Sequence, residues 1–129
     1  MKVKIMLLLI AITMCFVGCS AMQQSSKKSS NYWSIPPDLT NVIYEGGDGS
    51  SVENAITIKN VTTTRDGIAA EYAYIETKYG IRFKDWKPMQ TTTSQVINER
   101  RYDIITIQTL SDNKTKQYFF DITEWYGKF

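Results

Sequence analysis

The sequence predicts a small α+β domain in which one helix packs on an antiparallel sheet, with the elements in the order β-α-β-β-β. Two observations support this prediction. Residues 65–79 place apolar side chains at helical spacing. Four other segments are rich in β-branched and aromatic residues, as strands are: 55–59, 91–97, 102–110 and 116–122.

The helix has recognisable start and stop signals. Thr63 is followed three residues later by Asp66, a spacing that resembles a capping box, and Gly80 suits the position just past the helix end. One face is expected to carry the apolar residues Ile68, Tyr72, Ile75 and Tyr79. Glu71 and Glu76 are then expected to face away from the core.

The strands are joined by short polar turns. Residues 98–100 and 111–114 are the expected turns, and the Asp-Asn pair in the second tolerates positive φ. In the last strand, Tyr118, Phe120 and Ile122 share one face because side chains alternate along a strand. We therefore expect these three side chains in the core.

Residues 1–18 predict a signal peptide. A short basic head precedes 5–17, a run that is apolar except for Thr13. As a helix this run would span roughly 20 Å, whereas the hydrocarbon core of a bilayer is about 30 Å thick. A basic start before a short apolar core is typical of a secretory leader.

The run Phe16-Val17-Gly18-Cys19 resembles the lipobox of bacterial lipoproteins, although Phe16 stands where that family usually has Leu. The resemblance implies that Cys19 is acylated and becomes the first residue of the mature chain. Two acyl chains hold a protein stably on a membrane, whereas one binds reversibly. The resemblance also implies, from Ser20 after the cysteine, that the protein is sorted to the outer membrane, facing the periplasm, in a host with two membranes; in a host with one, the anchor holds the protein on the outer face of that membrane.

The mature chain divides into a tether and a domain. Residues 19–40 are predicted to be a lipidated flexible tether, because 20–31 are mostly Ser, Gln and Lys and offer little apolar surface to bury. Tyr32 and Trp33 are expected either at the membrane interface or docked on the domain. Residues 41–129 are predicted to form one small α+β domain.

Composition excludes several functions. The chain has 15 basic and 13 acidic residues, and loss of Lys2 and Lys4 with the leader leaves a formally neutral protein without the basic footprint of a nucleic-acid binder. It contains no histidine, which excludes histidine-dependent nucleophiles and removes the commonest transition-metal ligand. We therefore expect no metal, no cofactor and no nucleic acid.

The loop 45–54 is the first candidate site. Gly47, Asp48, Gly49 and Ser50 could form a backbone nest for an anion or bind calcium. Neither a P-loop ending nor an EF-hand pattern is present. The alternative is a tight turn in which Asp48, Ser50 and Ser51 bond to their own backbone.

The C-terminal segment 119–129 is the second candidate site, since five of its eleven residues are aromatic. Trp125, Tyr126 and Phe129 either close over the sheet edge or form an exposed patch that binds a protein partner. Together, the Gly-Asp-Gly-Ser-Ser turn and the Phe-Asp-Ile-Thr segment resemble small, uncharacterised bacterial proteins. The resemblance implies a compact α+β fold over 45–129 and supplies no catalytic residue.

Carboxylates give the remaining chemical hypothesis. A pair among Asp85, Asp103, Asp121 and Glu124 would suit glycoside hydrolysis, but their spacing brings no two together. Arg100 and Arg101 are expected at a solvated hairpin tip rather than in a phosphate clamp.

The sequence therefore favours a protein that is not an enzyme: a membrane-anchored module that binds an envelope or periplasmic protein, for example as an immunity protein against a toxin. The alternatives are a structural or assembly lipoprotein of the envelope and, last, a carboxylate-dependent hydrolase.

Overall fold

The structure, a computed structural model, describes residues 37–129. The predicted leader, Cys19 and most of the predicted tether lie outside the described residues. The elements are β1 (Ile43–Gly46), β2 (Ile56–Lys59), α1 (Thr64–Tyr79), β3 (Trp86–Pro88), β4 (Thr93–Ile97), β5 (Arg100–Thr109) and β6 (Thr115–Asp121). The fold is α+β, as predicted, with one helix and a six-stranded, mostly antiparallel sheet in the part described.

The sheet has the order β1-β2-β6-β5-β3, and β4 also pairs with β5. β5 is the longest strand, and β3 and β4 share one of its edges: β3 pairs with its C-terminal part and β4 with its N-terminal part. β2 and β6 form the one parallel pair in the described sheet. The predicted order β-α-β-β-β lacks β1 and β3, two short strands at the edges.

Helix α1 begins and ends where the sequence predicts. The Thr63 side chain accepts a hydrogen bond from the Asp66 backbone N–H at 3.1 Å, which satisfies one of the free N–H groups at a helix start. The Gly80 N–H donates to the Glu76 carbonyl at 2.9 Å, and Gly80 has a φ of 92°. Glycine adopts this φ at little cost, so the chain leaves the helix here.

The predicted helix face is only partly correct: Ile75 is buried and Tyr72 and Tyr79 are partly buried, as expected, but the helix is rotated from the prediction at Ile68 and Glu71. Ile68 is 40 % exposed, whereas Glu71 is only 1 % exposed. Small residues explain the rotation: Gly67 and Ala70 are buried and let the helix backbone approach the sheet closely. The expectation that Glu71 faces solvent is therefore wrong.

Aromatic side chains fill the space between helix and sheet. Tyr118 and Phe120 of β6 point toward α1, as predicted, and the Tyr74 ring meets both edge-on. The hydroxyl groups of Tyr79 and Tyr118 lie 2.8 Å apart and share a hydrogen bond. Burial raises the pKa of Tyr118 far above its ordinary value, with the Tyr79 hydroxyl contributing, so this hydroxyl stays protonated.

Candidate functional site

The loop between β1 and β2 is closed by its own hydrogen bonds. The Asp48 carboxylate accepts from the Ser50 backbone N–H at 3.0 Å, and the Ser51 hydroxyl accepts from the Asn54 N–H at 3.3 Å. Bonds to Ser50 also lower the pKa of Asp48 from its ordinary value. These contacts match the tight turn that the sequence offered as one interpretation.

The N–H groups that an anion would need are already engaged. Gly47 donates to the Ala55 carbonyl at 3.2 Å, and Gly49 donates to the Asn54 carbonyl at 2.7 Å. With the Ser50 N–H on Asp48, three donors of a possible nest point into the loop itself. A nest binds anions only with free N–H groups, so this conformation does not favour anion binding at Gly47, Asp48, Gly49 and Ser50.

Gly49 also connects the loop to the sheet. Its carbonyl accepts from the Phe119 N–H at 2.9 Å. A Cβ at this position would lie 2.7 Å from Ile56 Cδ1 and 3.0 Å from Tyr118 Cδ1, and the φ of 78° also favours glycine. The glycines therefore allow the loop to pack closely on the core.

The predicted C-terminal patch divides into buried and exposed residues. Trp125 is 1 % exposed, and its indole lies so close to Gly67 that a Cβ there would overlap the ring. The Trp125 side chain is part of the core, so it follows the first of the two interpretations that the sequence offered and is not exposed to a partner in this conformation. Tyr126 and Phe129 are 49 % and 96 % exposed.

Tyr126 interacts with β5 from outside the core. The Arg101 guanidinium lies over its ring, 4.1 Å from the centroid, in a cation–π contact. Arg100 forms an ion pair with Asp121, its Nε 2.6 Å from the carboxylate. The two arginines thus have separate partners and do not form a phosphate clamp.

Three of the four carboxylates considered for hydrolysis form hydrogen bonds or ion pairs with nearby residues. Asp85 accepts from the Ile81 N–H at 2.7 Å and Glu124 pairs with Lys59. Besides Arg100, Asp121 accepts from the Thr123 N–H and hydroxyl. Each of these contacts stabilises a turn or a strand end, and none joins two of the carboxylates.

The fourth, Asp103, meets a partner that the sequence did not indicate. Asp103 lies on the helix-facing side of β5, between Ser94 and Phe120 in the sheet. From α1, the carboxyl group of Glu71 comes within hydrogen-bonding reach of it. No sequence spacing links a helix position to a strand 32 residues later, so only the packing creates this pair.

Burial dominates the electrostatics of the pair. Loss of hydration raises the pKa of Glu71 well above its ordinary value, and the Asp103 carboxylate raises it further. Burial also raises the pKa of Asp103, although hydrogen bonds from Ser94 and Glu71 act in the other direction. In its protonated form Glu71 can donate to the Asp103 carboxylate, and its Oε1 has no partner among the described residues.

A raised pKa and a second carboxyl group are features of general acid catalysis. Such a group must also reach a substrate, and Glu71 is 1 % exposed. Three surface cavities of about 450–500 Å³ are lined by other residues. The pair thus connects the helix to the sheet and lines none of these three cavities.

Two exposed apolar side chains lie in the turn between α1 and β3, where the sequence had indicated only the end of the helix. Ile81 is 60 % exposed and Phe83 is 71 % exposed, on a turn held to the sheet by Asp85 and Trp86. Phe83 has a φ of 65°, which is unusual for a bulky residue. The alternation of apolar and basic residues in Ile81-Arg82-Phe83-Lys84 was the available signal.

Within residues 37–129, no group of three or more possible His, Cys, Asp or Glu ligands is placed to hold a metal ion. In the same range, no helix combines the length and apolar character needed to cross a membrane. No family model matches the sequence, and comparison with curated proteins and with solved structures gives no match.

Proposed function

We propose that this chain is a lipid-anchored protein of the bacterial cell envelope whose folded domain binds another protein without catalysis. The observation that carries the proposal is the lipobox-like run ending in Gly18 and Cys19, directly after a basic and then apolar leader. Acylation of Cys19 by two or three chains would hold the protein on a membrane. Ser20 supports the outer membrane, facing the periplasm, as its place in a host with two membranes.

The described side chains are consistent with a role that is not catalytic. Local hydrogen bonds or ion pairs engage three of the carboxylates, those of Asp85, Asp121 and Glu124. The Glu71 side chain is buried between the helix and the sheet. Exposed aromatic side chains are present instead in the C-terminal segment, at Tyr126 and Phe129. Exposed aromatic residues of this kind contribute strongly to protein interfaces.

The anchor is tested by mass spectrometry of the native protein extracted from membranes. We expect a chain that begins at Cys19 and carries acyl chains on that residue. Cys19→Ser should abolish both cleavage and acylation, whereas Cys15→Ser, in the matched control, should leave both unchanged. An intact leader or a free thiol at Cys19 in the native protein would overturn the anchor.

The partner is tested by crosslinking in intact cells, followed by purification from the envelope fraction. We expect the anchored protein to capture an envelope or periplasmic protein, and a toxin encoded by a neighbouring gene would identify the immunity form of this function. Sensitivity of a deletion strain to detergent, with no toxin present and no captured partner, would instead favour a structural role in the envelope.

A further inference from the structure

The turn Ile81–Lys84, here called the 81–84 tip, projects two apolar side chains into solvent. Ile81 and Phe83 are 60 % and 71 % exposed. The tip lies between the end of α1 and the start of β3. A hydrogen bond connects the residue after the tip to the β5–β6 turn: the Leu110 N–H donates to the Asp85 carbonyl at 2.8 Å.

The tip is held rigidly despite being exposed. The Asp85 carboxylate accepts from the Ile81 N–H at 2.7 Å, and the Phe83 N–H donates to the Trp86 carbonyl at 2.6 Å. Trp86 is itself fully buried, and its indole N–H donates to the Gly80 carbonyl at 3.0 Å. The core thus fixes the position from which Phe83 projects.

Phe83 has a strained backbone conformation. Its φ of 65° lies in the left-handed region, where a side chain with a Cβ is strained. Glycine would form the same turn without strain. Residues kept in strained conformations often serve a binding role, and here the strained residue presents an aromatic ring to solvent.

Basic residues surround the two apolar side chains. Arg82 and Lys84 alternate with them along the tip, and Lys78 and Lys84 line the same cavity of about 450 Å³ beside Leu110. The Asp85 carboxylate is directed to the Ile81 N–H. The surface therefore combines two projecting apolar side chains with three basic residues, of which Arg82 also pairs with the Glu76 carboxylate across 4.0 Å.

We infer that the 81–84 tip contacts the headgroup region of an anionic phospholipid bilayer. Ile81 and Phe83 reach the boundary between headgroups and acyl chains, while Arg82 and Lys84 approach the lipid phosphates. Each basic residue near an anionic surface contributes favourable binding. The charge of the tip therefore complements such a membrane.

The entry of the tether supports this orientation. Pro37, the first described residue, lines the same groove as Arg82. The chain therefore enters the domain along a groove that extends to the tip. This inference rests on the lipid anchor of the proposed function, since the anchor would keep the domain within reach of the bilayer.

The test uses the full-length lipidated protein in vesicles of neutral phosphatidylcholine, with or without anionic phosphatidylglycerol. Phe83→Cys is labelled with an environment-sensitive fluorophore, and nitroxide lipids report contact with the bilayer. Tyr126→Cys is the matched control, because Tyr126 is an exposed aromatic residue beyond the opposite end of β5. That ten-residue strand separates the two sites by roughly 30 Å.

We expect both labelled proteins to float with the vesicles, but only the label at position 83 to be quenched, and more strongly with anionic lipid. Replacing Arg82 and Lys84 by Gln should reduce the ratio of inserted to free tip roughly thirtyfold, because each cation contributes about 1 kcal/mol at an anionic surface. Circular dichroism of the variants confirms that the fold is retained.

Several outcomes would overturn the inference. Flotation without quenching at position 83, or equal quenching at 83 and 126, would overturn the tip contact and leave the anchor intact. A response at 83 that requires added envelope proteins rather than vesicles would assign the tip to a protein partner. Failure of the unsubstituted protein to float would instead overturn the anchor and, with it, the membrane contact.

Discussion

The carboxyl groups of Glu71 on the helix and Asp103 on β5 lie within hydrogen-bonding reach of each other, with Glu71 buried and Asp103 partly buried. The pair connects α1 to β5, the longest strand of the sheet. Its cost depends on pH, because a buried carboxyl group loses much more hydration when it is charged than when it is neutral.

The first prediction concerns the pH dependence of stability. The folded-state pKa of Glu71 is raised above its unfolded value, so the folded protein binds more protons and the free energy of unfolding falls as pH rises from about 4.5 toward the folded pKa. Asp103, whose pKa is also raised, acts in the same direction. Glu71→Gln keeps a donor to Asp103 but removes the titration, so its stability should decline less over this range.

Urea unfolding between pH 4 and pH 9 measures this effect as a steeper fall in the free energy of unfolding for the unsubstituted protein than for Glu71→Gln. The matched control is Glu76→Gln on the same helix, where the side chain is 45 % exposed. Parallel stability curves for Glu71→Gln and the unsubstituted protein would show that Glu71 is not buried as described.

The second prediction tests the contact between α1 and the C-terminal segment. Gly67→Ala should improve intrinsic helix propensity by up to about 1 kcal/mol. We nevertheless expect a net destabilisation of about 1–3 kcal/mol, because the new Cβ overlaps the Trp125 indole. Chemical denaturation measures the difference, and the smaller side chain of Trp125→Leu should reduce the penalty in the double variant. A stabilised Gly67→Ala protein would contradict this packing.

The third prediction separates the two aromatic residues of the predicted C-terminal patch. Trp125→Ala should lower the free energy of unfolding by about 3–5 kcal/mol, as truncation of a large core residue does. Phe129→Ala should change it by less than about 0.5 kcal/mol, because Phe129 is 96 % exposed. Thermal unfolding of both variants provides the comparison. Similar losses in the two would mean that the segment packs differently.

The fourth prediction concerns the strained residue of the 81–84 tip. Phe83→Gly should raise the free energy of unfolding by about 1 kcal/mol, because glycine relieves the strain at positive φ and little packing is lost. The same substitution should weaken contact of the tip with anionic vesicles. Val96→Ala is a suitable control, since Val96 is also exposed, at 59 %, and lies in a regular strand.

A stability that falls in Phe83→Gly would show that the Phe83 ring contributes more through packing than its φ costs. Higher stability together with unchanged vesicle contact would remove the functional reason for the strain.

Local signals in the sequence were sufficient for the main elements. The capping pattern at Thr63 and the glycine at Gly80 predicted α1 to within one residue at its start, because caps satisfy groups within the same few residues. The strands β2, β4, β5 and β6 were also found from composition. The lipobox interpretation of Cys19 likewise depends on a linear motif, and it stays a prediction.

The edge strands and the buried helix face were decided only by tertiary structure. β1 and β3 are short segments whose backbone pairs with β2 and β5, so their strand character depends on neighbours distant in sequence. The apolar stripe of the helix was wide enough to permit several rotations, and the small residues Gly67 and Ala70 allowed the closest approach to the sheet. That rotation brought Glu71 to Asp103, because burial is a property of the packed interface and not of the helix alone.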